Sequence, residues 1–293
     1  MNIAVLITCY NRKVKSVFCI RSLLQNKLEN INYLDVFLVD DGSTDGTSAA
    51  IQNEFPKVNI IQGDGTLYWN GGMRLAWSHA LENDYDYDFY LWLNDDSMIY
   101  FDAVSRLIAT YDSLIDRGNK VGAVIGTMID PVVKTPTYGG RVCNSYFNPL
   151  SFGPVLQPEN KPLKCDFVNG NFTLIPSDAV KKIGILSDAY THSMGDFDYG
   201  LRLKKAGMTC WVAPDYFGEC ELNSEKFGCK DTSLSLSERV NKMKSINQMP
   251  PVEEWKHFVR EHGGYIWPFL YLKVWLRGTF PTLWVILRSR NIG

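Results

Sequence analysis

The sequence is short of the residues that mark several large protein classes. Only 4 of its 293 residues are histidine, and its 7 cysteines include no C-x-x-C pair. Zinc-ribbon and thioredoxin-like spacings are therefore absent, and an odd number of cysteines in a chain of this length does not describe a disulfide framework. A reducing compartment is the expectation. An excess of charge of one sign is missing too, since 30 Lys+Arg stand against 32 Asp+Glu for a net −2. With no basic field to hold a phosphate backbone, no nucleic-acid partner is expected. Neither G-x-G-x-x-G nor G-x-x-x-x-G-K-[ST] occurs, which removes the two commonest glycine-rich cradles for dinucleotides and ATP. The apolar run Met1 to Thr8 has no basic stretch before it and no small-residue cleavage pattern after it, so no signal peptide is expected.

What is present is globular in composition, 45% apolar and 21% charged. Ile3 to Thr8 is almost continuously apolar and breaks into Cys9-Tyr10-Asn11-Arg12, as a strand buried on both faces does before a loop. Val17, Ile20 and Leu24 then repeat at helical spacing, predicting a helix from about Lys13 to Gln25. A second apolar strand, Val36 to Val39, runs into Asp40-Asp41-Gly42-Ser43-Thr44-Asp45, and a third, Phe89 to Leu93, into Asn94-Asp95-Asp96-Ser97. Met73, Ala76, Trp77, Ala80 and Leu81 predict a helix opened by Gly71-Gly72; Val104, Leu107, Ile108, Tyr111 and Ile115 predict another.

Further along, Val121 to Ile129 reads as a strand, and the Pro- and Gly-rich stretch from Asp130 to Pro162 as a loop or irregular sheet. Helices follow near Ser177 to Ile183, closed by Gly184, and from about Asp196 to Ala206, closed by Gly207, before a strand from Thr209 to Ala213. Strands alternating with helices give an α/β fold: a Rossmann-like, mainly parallel sheet with flanking helices and right-handed crossovers.

In such sheets ligands bind beyond the carboxyl ends of the strands. Here those ends carry massed carboxylates, which repel one another unless a cation or donors compensate, so hard oxygen ligands predict Mn2+ or Mg2+ held together with phosphate oxygens. Asp41-x-Ser43-x-Asp45-Gly46 copies the start of a calcium loop but has Gln52 where the bidentate Glu belongs.

Four segments together resemble glycosyltransferase family 2, the inverting nucleotide-sugar transferases with the glycosyltransferase-A fold. They are Leu6 to Arg12, Val39 to Thr47, Leu93 to Ser97 and Gly195 to Arg202, in the family's order and spacing over about three-quarters of the chain. The resemblance implies that Thr8, Tyr10 and Arg12 line the base and phosphate pocket and that Asp41, with Asp40, holds the nucleoside. Gly71 and Gly72 match the glycine pair beside the donor diphosphate, where helix-start N–H groups suit an anion; a plain turn is the alternative. Asn94-Asp95-Asp96 stands for the family's Asp-x-Asp, so Asp96 is the implied metal ligand, in the Asn-x-Asp form of a rhamnosyltransferase-like branch. Helix capping also explains Asp95 and Asp96.

Asp196 matches the catalytic base, although Gly195 precedes it where the family usually has Glu. Asn169 and Gly170 fall in the segment that floors donor sugar and acceptor, and His192 and Asp198 are candidate acceptor contacts. Asp198 is equally suited to the first turn of a helix ending in Lys204-Lys205. The family's further metal-binding His is missing from Phe217-Gly218-Glu219-Cys220.

From Tyr265 to Leu287 the chain is rich in Trp, Tyr, Phe and Leu, with Lys273, Arg277, Pro268 and Pro281 breaking any run long enough to span a membrane. A membrane-interfacial segment and one packed on the catalytic domain or in a dimer fit equally. The expected organisation is a catalytic domain over 1–225, with a nucleotide-binding half (1–125) and an acceptor half (126–225), and a helical extension over 226–293.

The expected activity is a hexosyl- or deoxyhexosyltransferase using a UDP- or dTDP-sugar donor and a glycan or lipid-linked oligosaccharide acceptor. It would serve bacterial surface polysaccharide (O-antigen or capsule) synthesis in the cytoplasm or peripherally on the cytoplasmic face of the inner membrane. A non-catalytic nucleotide-sugar or glycan-binding subunit and a nucleotidyltransferase are the rivals; oligomeric state is left open.

Overall fold

The computed structural model describes residues 1–28, 31–83, 85–222, 231–246 and 249–289. Its first half runs β1 (Asn2–Cys9), α1 (Lys13–Leu24), β2 (Tyr33–Asp40), α2 (Thr47–Glu54), β3 (Asn59–Gln62), α3 (Tyr68–Leu81), β4 (Phe89–Leu93), β5 (Met98–Ile99), α4 (Ala103–Asp116) and β6 (Val121–Ile129). Then come β7 (Arg141–Cys143), β8 (Phe152–Val155), β9 (Leu163–Cys165), β10 (Phe172–Pro176), α5 (Ser177–Ile183), α6 (Gly195–Lys205) and β11 (Thr209–Glu219). The chain continues through α7 (Leu236–Lys244), α8 (Val252–His262), a 3-10 turn (Gly264–Ile266), α9 (Trp267–Thr279) and α10 (Pro281–Ser289). Two compact units divide it: 1–142, 152–191 and 195–222 form one, and 143–151, 192–194 and 223–293 the other.

The first unit is built on a sheet ordered β3-β2-β1-β4-β10-β6-β11-β5, with β9 paired to β11. β3, β2, β1 and β4 are mutually parallel, and so are β6 and β11. β10 runs antiparallel between β4 and β6. Alternation along each strand loads both faces. Ile3, Val5 and Ile7 of β1 join Cys19, Ile20 and Leu23 of α1 and Val104, Leu107 and Ile108 of α4 on one side. Ala4 and Leu6 join Met73, Ala76 and Trp77 of α3 and Tyr199 and Leu203 of α6 on the other. Each large side chain so buried contributes about 1.5–3 kcal/mol.

Several elements depart from the sequence expectation. The stretch at 130–162, read as a loop or irregular sheet, takes the second form, with β7 and β8 paired as a short ribbon. β11 runs on to Glu219 because bulges at Thr209/Cys210, between Val212 and Tyr216, and again before Gly218 let it bend through a proline. α2, β3, β5, β9 and β10 have no counterpart among the predicted elements. In α4 the buried position is Leu114, while Ile115 is exposed. α3 begins at Tyr68, so Gly71 and Gly72 lie inside the helix instead of opening it. The reason is packing: a Cβ on Gly72 would stand 2.8 Å from Thr8 Cβ, so only glycine lets α3 cross β1 this closely.

In the second unit α8 packs on α9, and α10 packs on α9 and α7. Its α7 opens with a complete capping box, Ser235 Oγ accepting from Glu238 N while Glu238 accepts from Ser235 N.

Candidate active site

β2, β1 and β4 are parallel neighbours, so the loops after Asp40, Cys9 and Leu93 leave from one edge of the sheet. Asp40 and Asp41 are both buried there. Asp40 Oδ1 accepts from Ser43 N at 2.9 Å and its Oδ2 from Ser48 Oγ. Asp41 Oδ1 accepts from Gly65 N at 2.9 Å and Leu67 N at 3.3 Å, and Oδ2 from Tyr68 N at 2.9 Å. Asp41 thus caps the start of α3 from a neighbouring strand. Asn70 N and Gly71 N donate to Thr191 O at 3.1 and 3.3 Å, so the helix-start N–H groups expected to receive an anion at Gly71 are already taken.

The β4 loop carries the next pair of carboxylates. Asp95 is buried and accepts from Ser16 Oγ at 3.0 Å and Arg12 Nη1 at 3.1 Å; Asp96 Oδ2 accepts from the same Arg12 nitrogen at 2.8 Å. Burial raises the Asp95 carboxyl to about 6, opposed by Arg12 and helped by the charge of Asp96. Burial also pulls the Arg12 guanidinium down, but the two carboxylates overcome it and its pKa ends above the ordinary value. One cation therefore compensates two acids. Asp96 Oδ1 lies 3.7 Å from Cys220 Sγ, and burial first and Asp96 second push that thiol up to about 12. Cys220 stays protonated as a weak donor at the position where the family's histidine was expected.

Asn94 turns the other way. Its Oδ1 accepts from Trp69 Nε1 at 2.8 Å and its Nδ2 donates to Asn171 Oδ1 at 2.9 Å. The amide is used on both ends inside the protein, where a carboxylate would meet Asn171 Oδ1 as like to like. Trp69 was not singled out from the sequence, yet it joins the parts. It is the second residue of α3, stands edge to face with Trp92 at 6.1 Å, and lies so close to Gly170 that a Cβ there would fall 2.5 Å from its Cη2. The only hint in the sequence is its place just before Gly71-Gly72.

Gly170 N donates to Asp196 Oδ2 at 3.2 Å and Asn169 Nδ2 stands 3.5 Å from the same oxygen, while Phe197 N donates to Oδ1 at 2.8 Å. Burial pushes the Asp196 carboxyl up to about 6; the backbone donors and the charge of Arg141 pull against it. A carboxylate of that basicity is matched to proton abstraction near neutral pH. Arg141, itself lowered by burial, is another residue the sequence did not point to.

Gly195 is explained by its neighbour. A Cβ there would lie 2.7 Å from Asn70 Cγ and closer still to Oδ1, so the Asn70 side chain fills the space that a larger residue needs.

Other candidates are placed differently. Asp198 is buried and accepts from Arg202 Nε at 2.7 Å and Tyr190 Oη at 3.4 Å, while Arg202 also donates to Ile183 O and Ile185 O at 2.8 and 2.9 Å. Through Arg202, which Asp198 holds, α6 is tied to the end of α5 and the turn after it. Tyr10 is exposed, and Thr8 packs under Gly72. His192 belongs to the second unit.

Among the described residues no group of three or more His, Cys, Asp or Glu could hold a metal ion. The donor set, Asp96 with Asp95 beside it, nonetheless fits a hard divalent cation of the kind held by one or two carboxylates with substrate phosphates and water completing the shell. Arg12 would have to share or yield Asp96.

A mostly parallel sheet covered by helices on both faces, with carboxylates at the ends of β2 and β4, is the architecture of the glycosyltransferase-A fold. A structure of the mannosyltransferase PcManGT from Pyrobaculum calidifontis in complex with GDP-Man and Mn2+ superposes with a TM-score of 0.54 at 14% identity, covering 99% of this chain and 73% of that one. Glycosyl transferase family 2 matches residues 4–174, more than half of the sequence, and the chain belongs to that family. No curated protein matches the sequence.

Proposed function

We propose that this chain is an inverting transferase that moves a hexosyl or deoxyhexosyl group from a UDP- or dTDP-sugar to a hydroxyl of a glycan or lipid-linked glycan, in bacterial surface polysaccharide assembly. The observation that carries this is Asp196: a half-buried carboxylate raised to about 6 and linked through Gly170 and Trp69 to the Asn94-Asp95-Asp96 loop. Deprotonated, Asp196 would take the proton of the acceptor hydroxyl, whose oxygen attacks the anomeric carbon as the bond to the nucleoside diphosphate breaks. Gly170 N–H and Asn169 keep its carboxylate oriented, and Arg141 favours its charged form.

Asp96, with Asp95, would hold Mn2+ or Mg2+, whose contribution is to neutralise charge on the departing diphosphate. The structural likeness to a mannosyltransferase in complex with GDP-Man and Mn2+ supports the use of a divalent cation. The rhamnosyltransferase-like assignment rests on the Asn94-x-Asp96 pattern.

No described helix is long and apolar enough to cross a membrane, and a peripheral place at the cytoplasmic face suits a lipid-linked acceptor. The test is a thermal-shift panel of UDP-, dTDP- and GDP-sugars with and without Mn2+. A rise in melting temperature with a UDP- or dTDP-sugar, larger with metal, is expected. No shift with any nucleotide sugar overturns the proposal.

A further inference from the structure

The second unit holds a helix that is apolar on both sides. The inward side of α9 is accounted for: Val274 and Arg277 are buried, Gly278 lies so near α8 that a Cβ would stand 2.9 Å from Val252 Cγ2, and Lys256 sits 5.7 Å over the Tyr271 ring. Arg277 Nη2 donates to Pro250 O at 2.7 Å, so this cation is consumed in holding the unit together. The opposite side carries Phe269, Leu272, Trp275 and Leu276 at three- and four-residue spacing, all exposed, Phe269 at 72%. The stripe continues past Phe280 into α10 with Leu283 and Leu287, and Tyr265 precedes it. Helices of globular domains keep polar residues on the side away from the core, so a second apolar stripe implies a second partner.

Charge says which partner. From Gly263 to Gly293 there is no Asp or Glu, while Lys273, Arg277, Arg288 and Arg290 are all basic. Lys273 is exposed among the apolar residues, and the exposed acids among the unit's described residues, Glu238, Glu253 and Glu261, lie on α7 and α8. Two copies of such a face would set Lys273 against Lys273 with no exposed acid among the described residues of α9 and α10 to answer it. An anionic lipid surface supplies the missing charge and accepts aromatic side chains at the headgroup level. α9 has 13 residues and α10 has 9, lengths of about 20 and 14 Å against a hydrocarbon core of about 30 Å, so they lie in the interface and do not cross it.

We infer that the face formed by Phe269, Leu272, Trp275, Leu276, Leu283 and Leu287 docks the enzyme on an anionic bilayer. This gives the lipid-linked acceptor proposed above a surface of its own, and to that extent rests on that proposal. The experiment is flotation of the full chain with vesicles of phosphatidylethanolamine and phosphatidylglycerol at 3:1, beside vesicles of phosphatidylcholine alone.

Binding is expected to the anionic vesicles, at least ten-fold weaker in F269S/W275S and several-fold weaker in K273E. Absence of binding by the unaltered chain, or undiminished binding by F269S/W275S, overturns the inference. So does sedimentation of the unaltered chain as a dimer that the double substitution converts to monomer, which assigns the face to a second copy. Nucleotide-sugar thermal shifts on the same samples separate the two proposals. Vesicle binding without such shifts removes the transferase and leaves the lipid face standing, and shifts without vesicle binding do the reverse. Retained shifts in F269S/W275S also show that the variant is folded.

Discussion

Substituting Gly195 by alanine tests how α6 is seated beneath its aspartate. The added Cβ would lie 2.7 Å from Asn70 Cγ, in a place where Gly195 is fully buried. Asn70 cannot move without loss, because its Nδ2 donates to Ser187 O at 2.8 Å and Tyr190 O at 2.6 Å. Swinging the amide aside strands two carbonyls at about 1–3 kcal/mol each, and keeping it in place costs about 1–3 kcal/mol of overpacking. The cheaper response sets the outcome, so Gly195→Ala should destabilise by about 1–3 kcal/mol, read as a lower urea midpoint at unchanged slope. In an Asn70→Ala background the same change should cost under about 0.5 kcal/mol, because contacting residues couple. Equal cost in both backgrounds would refute the claim that Asn70 is what excludes a side chain at 195.

Asp198→Ala leaves the half-buried Arg202 guanidinium with its two carbonyl acceptors but without its carboxylate and should lower stability by about 1–3 kcal/mol in chemical denaturation, with donor affinity retained in the folded fraction. For Asp196 the folded pKa of about 6 lies above the ordinary 3.8, so the native state binds more protons between those values and stability falls as pH rises through that window. Asp196→Asn should therefore raise the melting temperature above pH 6 relative to the unaltered chain and converge with it below about pH 4. The rate of transfer should show an acidic limb centred near 6 for the same group; a profile flat from pH 5 to 8 would contradict its use as the base.

The parallel core strands and most of the helices were legible because burial on both faces writes short continuous apolar runs and a 3.6-residue period is hard to mistake. β3 and β5 were not: one has 4 residues and the other 2, too few for any period. β11 hid its second half behind Pro214 and its bulges. At the site, the motif order placed Asp41, Asp95, Asp96 and Asp196 in one unit, but what each side chain touches is decided by residues far away in sequence. Trp69 reaches Asn94 and Gly170, Arg141 bears on Asp196, and Asn70 fills the space over Gly195. No local spacing encodes such contacts. Asp198, an acceptor-contact candidate by position, accepts from Arg202 one turn along α6, a pairing that the i,i+4 spacing does show.

The most direct measurement is release of nucleoside diphosphate by Asp196→Asn, with donor, acceptor and Mn2+ at saturation, beside calorimetric donor binding by the same protein. A general base contributes about 10²–10⁴-fold, so transfer should fall at least about a hundred-fold while donor affinity changes by no more than about two-fold. A variant that turns over within about ten-fold of the unaltered chain, or one that loses donor affinity in step with its rate, would contradict the assignment of Asp196 as the group that deprotonates the acceptor.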